Sequence, residues 1–181
     1  GRGECQIFIM KRSWFANMHK IKDFCIDYID SPIGLLEIKG TKKEVFSILF
    51  TDKKVNIPCY SEEIEKCKKE LKEYFEGKRC YFRCKMHFEG TDFQKKVWEE
   101  LFNIGFGEVS SYKKIACNIG KDNAFRAVGN ANNKNKICII VPCHRVISAK
   151  GELTGYAGGL WRKKWLLEHE KRFKGVFNKT S

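Results

Sequence analysis

From Phe24 the apolar positions alternate with polar ones through "FCIDYIDSPIGLLEIKG", which predicts two strands joined at the turn-forming cluster Ser31-Pro32-Ile33-Gly34. "EVFSILF" (Glu44 to Phe50) continues the same two-residue rhythm as a third strand. The period then changes. Ile64, Cys67, Leu71, Tyr74 and Phe75 fall on one helical face of "SEEIEKCKKELKEYFEG", with acidic residues at its start and Gly77 at its end. "CYFRCKMHF" (Cys80 to Phe88) reads as one more extended piece. Residues 21–89 are therefore expected to form an α/β domain, a small antiparallel sheet with a packed helix.

Beyond Gly90 the texture is helical. Thr91 or Asp92 caps a helix in which Phe93, Val97 and Leu101 recur every four residues, with Trp98 and Phe102 widening the face. "GFGE" interrupts it. Two short helical segments follow, "SSYKKIACNIG" and "KDNAFRAVGNANN", around the Gly-containing turn at Ile119-Gly120; a helix-turn-helix and a generic helical hairpin fit this pattern equally. The last element, "LWRKKWLLEHEKRF", stacks Trp161, Trp165 and His169 at four-residue intervals. The expected division is an N-terminal extension over 1–20, partly a processing remnant and left out of the fold, the α/β domain over 21–89, a mainly α domain over 90–173, and a tail over 174–181.

Composition narrows the partner. The 181 residues are 43% hydrophobic, enough for a core, and carry neither a bilayer-long apolar run nor a signal-peptide pattern, so an intracellular protein is expected, cytoplasmic or nuclear, with no membrane. Lys plus Arg number 35 against 22 Asp plus Glu, a net charge of +13 that favours a polyanion, nucleic acid before an acidic membrane surface. A merely solubilising lysine surface accounts for charge alone just as well. Nine cysteines, an odd number, in a chain without an export pattern point to a reducing compartment with no disulfide framework.

One stretch departs from the plain reading. In "IIVPCHRVIS" a strand-like run halts at Pro142 to present Cys143, His144 and Arg145 in succession. A free thiol is only about 3% thiolate at pH 7, and a nearby imidazole or cation raises that fraction. Neighbours on an extended strand point to opposite sides, so His144 meets the thiol only if the backbone bends at Pro142. A buried structural Cys beside a surface His is as common. In the second short helix, Arg126, Ala127, Gly129 and Ala131 offer small residues and one large cation; they suit either close backbone approach to DNA or tight helix packing.

"RAVGNA", Asn135, "IIVPCHRVI", "GELTGYAGGL" and "WLLEHE" stand in an order and spacing that resemble the O6-alkylguanine-DNA alkyltransferases, or methylated-DNA–protein-cysteine methyltransferases. The resemblance covers Phe93 to about Glu170 closely and the N-terminal part through "DSPIG" and its layout. It implies a ribonuclease H-like N-terminal domain and a C-terminal domain that is mainly α, with a winged-helix-like helix-turn-helix. It implies a single-turnover repair reaction in which Cys143 takes the alkyl group from O6 of a flipped guanine, with O4-alkylthymine as a secondary substrate. By that resemblance His144 is the base acting through a water, Glu170 orients it, Tyr112 donates to the guanine, and Asn135 ties the active-site turn. Arg126 enters the base stack, Ala127 and Gly129 approach the minor groove of double-stranded DNA, and Tyr156, Ala157 and Gly158 form the loop over the base. The backbone at Cys143 and Val146 accepts from the exocyclic amine. A monomer is implied, with cooperative binding along DNA open.

The chain departs from the family at Lys136 and Cys138, where some members have prolines, and at Phe125 and Asn130, where smaller residues are common. No cofactor is expected. Some members bind zinc, but Cys5, His19, Cys25, Cys80, Cys84 and His87 do not align with that pattern, so no metal site is assigned. Two rival readings remain from the residues: a lesion-binding relative, which lacks the reactive thiol and carries Trp in its place, and a cysteine hydrolase.

Overall fold

The computed structural model describes residues 24–56 and 59–177. Cys5 and His19 lie outside them. Three strands, β1 (Cys25–Ser31), β2 (Gly34–Gly40) and β3 (Val45–Phe50), pair antiparallel in sequence order. The β1–β2 turn closes where Ser31 Oγ donates to Gly34 O at 2.6 Å, with Gly34 at φ +116°, a conformation open to a residue without Cβ. Helix α1 (Glu62–Phe75) starts at Ser61, whose Oγ accepts from Ile64 N, and carries Glu62, Glu63 and Glu65 in its first turn, favourable at the positive end of the helix dipole. It buries Ile64, Cys67, Leu71 and Tyr74, the apolar stripe the spacing predicts.

Helix α2 (Asp92–Leu101) opens on a reciprocal capping box between Thr91 and Gln94. It buries Val97, Trp98 and Leu101, whereas Phe102 is 44% exposed and only edges the face assigned to it. Strand β4 (Ser110–Ser111) leads into α3 (Tyr112–Asn118), capped by Ser111, and then α4 (Phe125–Asn133). Val128 and Ala131 of α4 face inward, and Trp98 Nε1 donates to Ala131 O at 2.9 Å. Arg126 and Ala127 are exposed, so the small residues of this helix split between a packing face and an open one.

Three expectations need correction. "IIV" before Pro142 is a buried turn rather than a strand, with Ile139 at φ +72° and the chain hydrogen-bonded to β3 through Ile48 N to Lys136 O and Cys138 N to Ile48 O. Residues 80–88 make one bridge, Val45 with Met86, and no strand. The final helix, α5 (Leu160–Phe177), extends into the presumed tail as far as Phe177, and its buried stripe is Lys163, Leu166, His169 and Glu170, while Trp161 is 57% exposed. Polar groups occupy this stripe because each finds a buried partner there, which hydrophobic spacing cannot show. The expectation of free thiols also fails at one pair. Cys25 and Cys59 are joined as a disulfide, their Cα atoms 5.3 Å apart because the fold brings the start of β1 beside the approach to α1.

Candidate active site

Pro142 ends the buried turn, and Cys143–Arg145 form one turn of 3-10 helix before strand β5 (Val146–Ile147), which pairs parallel with β4. The bend at Pro142 is thus present. It turns three consecutive side chains into the interior, Cys143, His144 and Arg145 being 5%, 0% and 7% exposed.

Asn135 stitches the turn together. Its Oδ1 accepts from Ile137 N at 2.9 Å, and its Nδ2 lies 3.3 Å from Ile137 O, 3.2 Å from Val141 O and 3.2 Å from Cys143 Sγ. Burial pushes the Cys143 thiol above its ordinary value, and the Asn135 hydrogen bond and the Lys163 charge work the other way. At rest the sulfur is a thiol that a base must activate.

His144 Nε2 lies 2.7 Å from Glu170 Oε1. Burial lowers the imidazole, against the pull of Glu170, so it is neutral near pH 7. Burial would raise the Glu170 carboxyl, but His144 and Arg145 hold it well below the usual carboxylate range. An ionised Glu170 accepts, so Nε2 carries the ring proton and Nδ1 is left as the basic lone pair. Nδ1 is buried and has no hydrogen-bond partner among the described residues. This is an imidazole oriented to receive a proton.

Glu170 takes more than the imidazole. Arg145 Nε and Nη2 reach its two oxygens at 2.8 and 3.0 Å, Tyr74 Oη donates to Oε1 at 2.8 Å, and Gly107 N donates to Oε2 at 3.0 Å. Arg145 Nη1 also donates to Ile104 O. Neither Arg145 nor Tyr74 was assigned a role from sequence. Tyr74 stands 96 positions from Glu170 and reads locally as one more apolar position of α1.

Lys163 is a second residue that sequence reasoning missed. Fully buried, it donates to Val146 O at 2.5 Å and Thr154 O at 2.6 Å, joining β5 to the loop before α5. Burial lowers its ammonium to about 8, and Cys143 draws it back up. Its one sequence signal is a Lys on the helix face that also carries Leu166 and Glu170.

A cavity of about 260 Å³ opens at Cys143. Leu49 and Phe50 wall it from β3, Asn132, Asn133 and Asn135 from the end of α4, and Cys138 from the turn. Tyr156, Ala157 and Gly158 close the far side. Gly158 is required there, since a Cβ would sit 2.7 Å from the Tyr156 ring and 3.0 Å from Phe50. Two polar atoms of the lining residues, Asn132 Oδ1 and Tyr156 Oη, are buried without partners among the described residues, a situation that costs about 1–3 kcal/mol per group when unrelieved.

Other predicted residues lie apart from the cavity wall. Tyr112 Oη donates to Thr154 O at 3.1 Å, and the ring packs beside Gly129. Val146 is buried, and its carbonyl is held by Lys163. Arg126, Ala127 and Gly129 lie on α4, Arg126 and Ala127 on its open face.

Residues 92–172 match the family model described as the 6-O-methylguanine DNA methyltransferase DNA binding domain, and residues 25–88 match its ribonuclease-like domain. The chain belongs to this family. A methylated-DNA–protein-cysteine methyltransferase of Methanosarcina barkeri is 47% identical over 151 residues, 80% of this chain and 96% of that protein. One of Mycobacterium tuberculosis is 43% identical over 148 residues, 79% and 90% of the two chains. The crystal structure of the M. tuberculosis O6-methylguanine methyltransferase superposes with a TM-score of 0.76 at 41% identity, covering 82% of this chain and 93% of that one. The same protein in complex with DNA gives 0.74 at 42% identity, covering 81% and 92%. The small sheet domain and helical domain described above are those of the family. Members, as their name states, move a methyl group from DNA to a protein cysteine.

Proposed function

We propose that this chain repairs O6-alkylguanine in double-stranded DNA by moving the alkyl group onto Cys143. The observation that carries the reading is the placement of the Cys143 sulfur. It forms part of a cavity wall, is hydrogen-bonded by Asn135, and is followed by a neutral imidazole whose free Nδ1 is set by an ionised Glu170.

In the reaction the thiol proton passes through a water to His144 Nδ1. Sulfur forms a bond to the alkyl carbon as the carbon–O6 bond breaks, and the electron pair returns to the guanine. The departing base takes a proton from the Tyr112 hydroxyl, released from Thr154 O, and Tyr112 regains one from the His144 imidazolium through water, so the net transfer is one alkyl to sulfur and the thiol proton to guanine. A thioether is a poor leaving group, so each molecule acts once. Arg126 enters the stack and holds the vacated space, while Ala127 and Gly129 let α4 approach the minor groove; flipping the nucleotide costs about a few kcal/mol. With a net charge of +13, affinity comes mainly from phosphates and is strongly salt-dependent. The protein works as a monomer on DNA, with O4-alkylthymine a poorer substrate.

Mass spectrometry of peptides after mixing with a duplex containing one O6-methylguanine tests this. One added methyl on the Cys143 peptide is expected, and none in Cys143→Ser, which retains duplex binding. An unmodified Cys143 with methylated DNA remaining refutes the assignment. A lesion-binding role without transfer is disfavoured by the thiol itself, which lies in the cavity wall.

A further inference from the structure

The wall of the Cys143 cavity is divided by chemistry. Asn132, Asn133 and Asn135 bring amides from the end of α4 and the residues after it, whereas Leu49, Phe50 and Cys138 form an apolar end. That end is built on β3, a strand of the small sheet domain. Ile48 N donates to Lys136 O and Cys138 N donates to Ile48 O, so the turn that leads to Cys143 is held in register against the strand. Phe50 comes two residues later, on the same face of β3 as Ile48. Its ring is held from two directions. The Arg162 guanidinium stacks on it at 4.3 Å and is itself tied to Ile33 O and Gly158 O. Gly158 lies so near the ring that a Cβ there would sit 3.0 Å from Phe50 Cδ2.

Displacement at carbon runs in line, with sulfur, the attacked carbon and O6 on one axis. A methyl group presents only hydrogens across that axis. In a larger alkyl group the next carbon projects sideways, and the wall beside Cys143 must house it. Setting it among the asparagines would strip amides of water with no hydrogen bond in return, so the apolar end takes it. We propose that Phe50 is a specificity-determining residue, its ring limiting the size of the O6-alkyl group that reaches Cys143. This rests on the reading of the cavity as the base pocket. Phe50 is the largest side chain of the apolar end, and both a guanidinium and a loop backbone hold it in place. A ring so fixed admits an added group only by leaving its rotamer or moving its neighbours, which is unfavourable. The small sheet domain thereby takes part in choosing the substrate.

Single-turnover transfer to Cys143 is measured from duplexes containing O6-methylguanine or O6-butylguanine, with the wild type, Phe50→Ala and Phe50→Leu. Butyl is the slower group in any displacement, so the readout is how the methyl-to-butyl rate ratio changes from one protein to another. Phe50→Ala is expected to lower the ratio by about 10-fold or more, through faster butyl transfer with the methyl rate kept within about 3-fold. Phe50→Leu keeps an apolar strand residue, should lower the ratio by about 3-fold, and serves if the Ala variant melts early. A ratio within about 2-fold of wild type in both variants, or one lowered only because methyl transfer slows, overturns the assignment of Phe50. Absence of methyl on wild-type Cys143 would instead overturn the pocket reading itself.

Discussion

Glu170→Gln is the substitution that probes the site most sharply. Five hydrogen bonds arrive at the carboxylate, from His144 Nε2, Tyr74 Oη and Arg145 Nη2 at Oε1 and from Arg145 Nε and Gly107 N at Oε2. Glutamine has the same shape, but one terminus becomes an NH2 group. Whichever way the amide turns, that group faces donors, and Arg145, 7% exposed, loses its counter-charge. Removing one partner of a buried ion pair costs about 3–5 kcal/mol, a large part of the roughly 5–15 kcal/mol that holds a domain together. For a chain of this size that lowers the melting midpoint by about 6–20 °C. Circular dichroism melts at pH 7.5 would show it, and a midpoint within about 2 °C of wild type would refute the account of Glu170 as the hub. Arg145→Met combined with Glu170→Gln should lose less than the sum of the two alone, because the stranded charge is gone. The sign with pH is also determined. A carboxyl held below its unfolded value near 4.5 contributes its full stability above that pH and loses it as pH falls further. The gap between wild type and Glu170→Gln should therefore narrow below pH 4.5.

Because burial holds the Cys143 thiol above its ordinary value, transfer by the wild type should still be speeding up with pH at 8, and rise less steeply above about 8 as Lys163 loses its proton; Lys163→Met should move the rising limb to higher pH, and an unchanged profile would rule out a role for Lys163. Ala127→Leu should fold normally, because Ala127 is exposed on the open face of α4, yet weaken duplex binding by about tenfold by standing between α4 and the groove; full affinity in a gel-shift titration would contradict the close approach. Arg162 donates to Ile33 O and Gly158 O and stacks over Phe50 at 4.3 Å, tying the β1–β2 turn to the cavity loop. Arg162→Met should slow transfer about tenfold with DNA affinity unchanged, and equal rates would show that the loop holds its place without the tie.

Much of this protein was legible along the chain because the signals are local. The β1–β2 hairpin follows from alternation around Ser31–Gly34, α1 from its stripe and acidic first turn, and the α3–α4 pair from two short amphipathic runs about a glycine. Cys143, His144, Asn135 and the loop at Tyr156–Gly158 could be named because order and spacing along the chain resemble those of a known family. The partners of the chemistry were a different matter. Glu170 was assigned to His144 only through that resemblance, since the two stand 26 positions apart; Arg145 stood out as a cation beside the thiol but not as a partner of Glu170, and nothing pointed to Tyr74 or Lys163 as partners. Periodicity reports which face of a helix turns inward, not what that face meets, and it scores a buried lysine or glutamate as a surface position. The turn before Pro142 was misread for a related reason. A run of Ile and Val prefers a strand, but hydrogen bonds to β3 hold Ile139 at a positive φ that no local preference would choose. The chain alone indicated most of the elements and the proposed nucleophile. Folding decided the acidity of that nucleophile and the shape of its cavity, because both depend on burial and on charges that come from distant segments.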